Sequence, residues 1–194
     1  MLLVGAGSHA ARLLSLFDLR RDLHAVCAPE IPIWLNSPSL GDVPLNHYRT
    51  ESEAEGPGVF LMGMGGVRPE QLQRRLALAR WFQAKGWHPF DLAHPKSFVA
   101  SETILRPGAH IMNGAQISAH CLIGEHVLIN AGSIIEHHSV IGAGSHIAPG
   151  AVILGNVVIG ECCMIGANAT VIEGTKVPDG TMVKANTVWK VASK

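Results

Sequence analysis

At 194 residues the chain has room for one large domain or two small ones. Its charge is balanced, 15 basic against 15 acidic side chains, which argues against nucleic acid or an anionic membrane as partner. No apolar run reaches transmembrane length, and the opening MLLVGAG lacks the basic region of a secretory signal, so a cytoplasmic location is expected.

Leu2 to Val4 read as a short apolar strand running into Gly5-Ala6-Gly7-Ser8-His9. A helix-permissive stretch follows from Ala10 to Leu19, and then a second strand from His24 to Cys27. A glycine-rich first turn in such a unit offers backbone N–H groups and a helix N-terminus to a phosphate. The run is not a full GxGxxG, and a merely tight turn fits it equally well. Pro29 to Pro57 is rich in proline, glycine and polar residues and reads as irregular connection. Val59 to Met62 is a third strand, ending in Gly63-Met64-Gly65-Gly66. Pro69 opens a helix to about Lys85, with Leu72, Leu76, Leu78, Trp81 and Phe82 on its apolar face, and Gly86 stops it. The aromatics on that face read as core. Residues 1–97 thus form a small α/β domain of Rossmann-like type, with a ligand crevice expected at the carboxyl ends of its parallel strands.

From Phe98 the pattern changes. Residues 98–193 divide into sixteen consecutive hexads without insertion, and the second place is aliphatic in all but Trp189. The sixth place stays small or compact, as in Ala109, Cys121, Ser139, Ser145 and Cys163. A period of six fits neither an amphipathic helix nor a hairpin meander; it is the hexapeptide β-helix repeat. Each hexad supplies one short strand and one corner, so three hexads close a coil. The aliphatic place points inward and stacks on its copies about 4.8 Å above and below. Residues 98–194 are therefore expected to form a parallel β-helix of a little over five coils, none stable without its neighbours.

The four cysteines, Cys27, Cys121, Cys162 and Cys163, have no zinc-site spacing and read as reduced structural thiols. Histidine is the conspicuous residue, with eleven in the chain. Most histidines on such a surface are simply solvated, so coil position has to sharpen the choice. His120 and His138 both hold the fifth place eighteen residues apart, and so stack on one corner. His137 stands eighteen residues before Gly155, which puts a backbone without a side chain directly over an imidazole. A base beside a backbone N–H suits acyl transfer.

The segment INAGSIIEHHSVIGAGSHIAPGAVILGNVVIGECCMIGANATV resembles the bacterial sugar acetyltransferases of the sialic acid O-acetyltransferase type. That family includes the hexapeptide-repeat N-acetyltransferases of nucleotide-linked 4-amino sugars. GAGSHA, VFLMGMGGVR with Arg68, and HPKSFV extend the resemblance over nearly the whole chain.

The resemblance implies a left-handed β-helix, acetyl-CoA as co-substrate with no metal, and a homotrimer with active sites between subunits. The reaction it implies is acetylation of the amino group of a nucleotide-linked amino sugar in surface-glycan biosynthesis. By position, His137 matches the catalytic base, with His138 beside it, and Gly155 matches the oxyanion amide. His146 matches a histidine near the thioester, and Ala167 and Ala185 fall where main chain lines the coenzyme A channel. Gly7, Ser8, His9, Glu30, Gly63 and Asn130 match positions around the nucleotide sugar.

The chain departs from the pattern in three places. His138 stands where an acidic residue is common, Lys184-Ala185-Asn186 where glycines are common, and the usual proline-containing tail is absent. Three other readings remain: a sugar O-acetyltransferase, a catalytically degenerate binding protein, and a γ-type carbonic anhydrase. The last needs a zinc on three histidines; His110 and His146 have the required spacing, but position 151 is alanine. Apolar first places such as Leu122, Leu128 and Ile134 are expected to form the trimer faces.

Overall fold

The computed structural model of the chain describes residues 1–5, 8–16, 25–27, 46–48, 54 and 57–190. They fall into two compact units, Met1–Gly65 with Ala77–Phe90, and Gly66–Leu76 with Asp91–Lys194. No helix among the described residues is long and apolar enough to cross a membrane.

The first unit is built on five parallel strands in the order β3-β2-β1-β4-β5. These are β1 (Leu2–Val4), β2 (Ala25–Cys27), β3 (Asn46–Tyr48), β4 (Val59–Met62) and β5 (His88–Pro89). Helix α1 (Ser8–Leu16) follows β1, and α2 (Pro69–Ala84) follows β4. Two strands escaped the sequence reading. β3 lies in the stretch read as irregular; it is three residues long and gains its strand character from parallel pairing with β2, which local propensity does not reveal. β5 contains a proline, which argues against a strand except at an edge. It is an edge strand: the His88 and Phe90 N–H groups donate to Gly58 and Phe60 carbonyls at 2.7 and 2.8 Å. Pro89, lacking an N–H, falls between those two donors.

The core of this unit joins Leu2, Val4, Phe60 and Met62 to Ala79 and Phe82 of α2. Phe82 is fully buried and stacks on Phe60 at 5.3 Å, with Trp81 and Trp87 edge-on around it. The turns after β1 and β4 are tightly opposed. A Cβ on Gly63 would meet the Gly5 carbonyl at 2.5 Å, and one on Gly5 would meet Met64 Cγ at 2.4 Å.

α2 starts at a proline in its first position, where the missing N–H costs nothing. It ends in a Schellman cap: Gly86, at φ +86°, donates to Gln83, and Trp87 donates to Phe82. Its buried stripe runs Leu72, Leu76, Ala79, Phe82, as a 3.6-residue period requires. Arg75 interrupts that stripe. Its guanidinium is fully buried and donates to the carbonyl of His126, and burial pulls its pKa down to about 10.

The second unit is a parallel β-solenoid with three faces. Strands β6 (Leu92–Ala93) to β22 (Val188–Trp189) succeed one another round the coil, every eighteenth residue pairing with its copy, as Ile117 with Ile135 and Ile135 with Ile153. The first and second faces hold six strands each and the third holds five. The solenoid begins one hexad earlier than the sequence period announces. The Leu92 and His94 N–H groups donate to Ala109 and Ile111, at 3.0 and 2.9 Å. Asp91 Oδ1 accepts from the Gly108 N–H at 2.5 Å and ties down this entry.

The second-place residues form the core. From Ile111 to Val183 none is more than 2 % exposed. Burial of each such side chain contributes about 1.5–3 kcal/mol, which explains the strictness of the aliphatic column. The sixth-place residues are rungs between coils. Ser139 Oγ donates to Leu154 O and accepts from Val157 N, and Ser145 does the same with Gly160 O and Cys163 N. Cys121 and Cys163 follow suit, their thiols directed at Glu136 O and Pro178 O.

The fifth place is left-handed in every corner from Gly108 to Asn186. Where it is not glycine it is His120, His126, His138, Asn156, Cys162, Asn168 or Asn186. Asparagine and histidine are among the residues that tolerate this region best. Residues of α2 use the room left by one fifth-place glycine: a Cβ on Gly144 would meet Leu76 Cβ at 3.1 Å. Leu72 and Leu76 pack on Ala143, Ala148, Cys162 and Met164, against part of the first face. Leu128 belongs to that face and is already buried within one chain, so it is not available to a partner subunit. Leu122 and Ile134 stay half-buried on the other two faces.

Candidate active site

Each coil turns three corners, and the fourth place of a corner leaves its N–H outside the ladder between coils. Some corners cap that N–H with a side chain. Asn130 Oδ1 accepts from Ala131 N at 2.8 Å, and Asp179 Oδ1 from Glu161 N at 2.8 Å. At Gly155 nothing does so: among the described residues its N–H has no acceptor. The neighbour beneath it is His137. A Cβ on Gly155 would lie 2.8 Å from His137 Cε1 and 3.1 Å from Nε2, so the ring rests against bare backbone.

His137 and His138 are both exposed, and their Nδ1 atoms lie 3.1 Å apart with the rings at 84°. One nitrogen must donate and the other accept. If His137 carries its proton on Nδ1, its Nε2 lone pair is free. The left-handed φ of +60° at His138 swings that ring to this position and over His120, at 4.9 Å between centroids. Glu136, the nearest carboxylate in sequence, is engaged elsewhere, accepting from Ser118 Oγ at 3.2 Å. Cys121 lies under the same corner; its thiol reaches the Glu136 carbonyl at 3.2 Å and so braces the residue before His137. Burial pushes the Cys121 and Cys163 thiols above their ordinary pKa, which suits rungs and not nucleophiles.

Asn130 and His146 form a second group, on the first face. His146 is buried, with Nε2 3.2 Å from Asn130 Nδ2 and Nδ1 2.7 Å from the Gly66 carbonyl. The Ala131 N–H fixes the Asn130 amide, so its NH2 faces His146, whose Nε2 accepts. His146 then holds its proton on Nδ1 and donates it to Gly66. Both ring nitrogens are thus occupied inside the chain. Ala167 and Ala185 stand one coil apart at the fourth place of the corner after the first face, half-buried and exposed respectively.

Within one chain the structure therefore brings together His120, His137, His138 and Gly155, and separately Asn130 with His146. It sets the pair Ala167 and Ala185 on a different corner from His137. In the first unit, His9 lies in the opening turn of α1, its Cβ 3.3 Å from where a Gly65 Cβ would stand. Gly63 is accounted for by close packing alone. Gly7, Glu30 and the side chain of Ser8 lie outside the described residues. The sequence reading missed the Nδ1 contact of His137 with His138. Adjacent fourth and fifth places, with the fifth left-handed, would have signalled it.

The description "bacterial transferase hexapeptide (six repeats)" matches residues 120–155, and "hexapeptide repeat of succinyl-transferase" matches residues 156–188. No curated protein sequence matches the chain. Among solved structures, a mutant of perosamine N-acetyltransferase from Caulobacter crescentus, in complex with CoA and GDP-perosamine, is 23 % identical with a TM-score of 0.80. The match covers 97 % of this chain and 87 % of that one. The acetyltransferase domain of PglB from Neisseria gonorrhoeae is 21 % identical, TM-score 0.79, covering 97 % and 90 %. WeeI from Acinetobacter baumannii is 17 % identical, TM-score 0.68, covering 96 % and 94 %. The chain carries the hexapeptide repeats of bacterial transferases and resembles in fold the nucleotide-amino-sugar N-acetyltransferases of the hexapeptide-repeat type.

Proposed function

We propose that the protein transfers the acetyl group of acetyl-CoA to the amino group of a nucleotide-linked amino sugar, in the biosynthesis of a surface glycan. The observation that carries this reading is the His137–Gly155 pair: an imidazole with one nitrogen tied to His138, resting on a glycine whose N–H has no acceptor. The solved relatives add weight, since one is in complex with CoA and GDP-perosamine and another with acetyl coenzyme A.

In this reading His137 Nε2 takes the proton of the sugar amine as its nitrogen bonds to the acetyl carbon. The Gly155 N–H donates to the carbonyl oxygen, which gains charge as the bond forms. The carbon–sulfur bond breaks, and the proton held by His137 passes to the departing sulfur, leaving the base neutral again. Bound acetyl-CoA supplies only the activated acyl group; no acyl-enzyme forms, in keeping with the buried thiols.

Ala167 and Ala185 line the coenzyme A channel and lie on another corner from His137, so the site is completed by a second copy. We assign a homotrimer of left-handed solenoids, joined through the second and third faces, with Leu122 and Ile134 in the contact. His146 and Asn130 support the walls near the thioester. The N-terminal unit, read as a Rossmann-like domain, takes the nucleotide sugar, and the family resemblance assigns Gly7, Ser8, His9, Glu30 and Gly63 to its binding. The protein works in the cytoplasm, where acetyl-CoA and nucleotide sugars are made.

Two experiments test this reading. Light scattering at working concentration should give three chains per particle, and a monomer would overturn the shared site. Incubation with acetyl-CoA and a panel of nucleotide 4-amino sugars should give an acetylated product and free thiol. Release of thiol only by hydrolysis, with every sugar returned unchanged, would overturn the assignment of the acceptor.

A further inference from the structure

The column that carries the proposed base continues past Gly155. Its fourth places, eighteen residues apart, run Ala119, His137, Gly155 and Glu173. The ladder shows the stacking: Asn156 N donates to His137 O at 3.0 Å, and Gly174 N donates to Gly155 O at 3.0 Å. The His137 ring already reaches the level of Gly155, its Nε2 lying 3.1 Å from where a Cβ would stand there. The backbone of Glu173 lies one coil further on, about 4.8 Å away. Gly155 interposes no side chain, so the imidazole and Glu173 bound a notch whose floor is bare backbone. Glu173 is exposed, and among the described residues its carboxylate has no hydrogen bond or ion pair. Its corner is closed by Thr175 N on Ile172 O at 3.2 Å, which fixes the backbone and leaves the side chain uncommitted. Most exposed carboxylates are simply solvated; this one stands over the proposed base, one coil away.

We propose that Glu173 is the specificity-determining residue that selects an amine over a hydroxyl as acceptor. Its carboxylate accepts a hydrogen bond from the amino group, while His137 Nε2 faces the same nitrogen from the other side. The proposal rests on the proposed function and names the acceptor chemistry of that same site. An amino group is in good part ammonium at neutral pH, and gains from the carboxylate both Coulombic attraction and a charge-assisted hydrogen bond. A hydroxyl in its place gains the hydrogen bond without the attraction of opposite charges. The bound ammonium releases one proton to solvent before attack, and the amine then reacts as above. Glu173 takes no part in the acetyl step, since negative charge beside a developing oxyanion opposes bond formation. Its effect falls on the affinity for the acceptor.

The test is calorimetric binding to the full chain at neutral pH, using the panel of nucleotide 4-amino sugars and the 4-hydroxy counterpart of each. The wild type should prefer the amino member of a pair by about tenfold or more, the order of a hydrogen bond to a charged group. Glu173→Gln should lose that preference by weakening the amino ligand, and should bind the hydroxy counterpart as the wild type does. Glu173→Asp, which keeps the charge, should retain part of the preference. Circular dichroism of each variant checks that the solenoid is intact. Equal binding of both members by the wild type, or a preference kept by folded Glu173→Gln, would overturn the role of Glu173. Loss of the preference in Glu173→Gln with no acetyl transfer by the wild type would support the amine subsite and overturn the proposed function. No binding of any nucleotide amino sugar would overturn both.

Discussion

His137 and His138 meet through their Nδ1 atoms at 3.1 Å, so the histidine proposed as base is oriented by a second imidazole and not by a carboxylate. A neutral imidazole fixes the tautomer of its neighbour but adds no negative charge to favour the imidazolium. Replacing it by a carboxylate separates the two roles. In His138→Glu the acidic group favours protonated His137, so the free base is lost at a higher pH. The acid limb of the kcat/KM profile should therefore move upward. An unmoved limb would show that the two side chains do not communicate.

Gly155 tests the other half of the site. A Cβ there would stand 2.8 Å from His137 Cε1 and would have to push the ring away. No positive φ is needed at this position, so the backbone accepts alanine. Gly155→Ala should lower kcat by about 10²-fold or more, the order seen when an oxyanion donor or positioned base is lost. Its thermal midpoint and the KM for acetyl-CoA should change little. A fully active Gly155→Ala would remove this glycine from the mechanism.

The thiols should behave as structural rungs. Cys121 and Cys163 are buried, and burial holds both thiols above their ordinary pKa. Alkylation at neutral pH, mapped by mass spectrometry, should label neither in the native protein and both after unfolding. Rapid native labelling of Cys121 would reopen a covalent route.

The coil register makes a stability prediction. Ile153, at a second place, is fully buried at mid-solenoid, whereas Val188, at the first place of the last hexad, is 61 % exposed. Ile153→Ala should cost about 2–5 kcal/mol in denaturant unfolding. Val188→Ala should fall within about 0.5 kcal/mol of the wild type, as surface changes do. Equal costs would contradict the coil register.

The solenoid was legible because one residue type recurs at one place, and a six-residue period admits few structures. Its first hexad was not, because Leu92-Ala93 carries its small residue where the aliphatic belongs, and Pro95 follows. In the N-terminal unit β1, β4 and α2 were legible from apolar runs, Pro69 and Gly86. β3 and β5 were not, since each gains its strand character from a parallel neighbour. Within the site, coil arithmetic placed Gly155 over His137 and His120 under His138. Side-chain direction lay beyond it: the occupation of both His146 nitrogens by Asn130 and Gly66 depends in part on a residue outside the repeat, which no period encodes.

The proposed reaction turns on His137 as the base of an acetyl transfer from acetyl-CoA. The most direct measurement is the rate of acetylated nucleotide-sugar formation by wild type and His137→Ala, followed by mass spectrometry under saturating acetyl-CoA. Loss of the imidazole should lower kcat by about 10²–10⁴-fold, the usual contribution of a general base. The variant should keep the oligomeric state and thermal midpoint of the wild type. Near-normal turnover by folded His137→Ala would contradict His137 as the base.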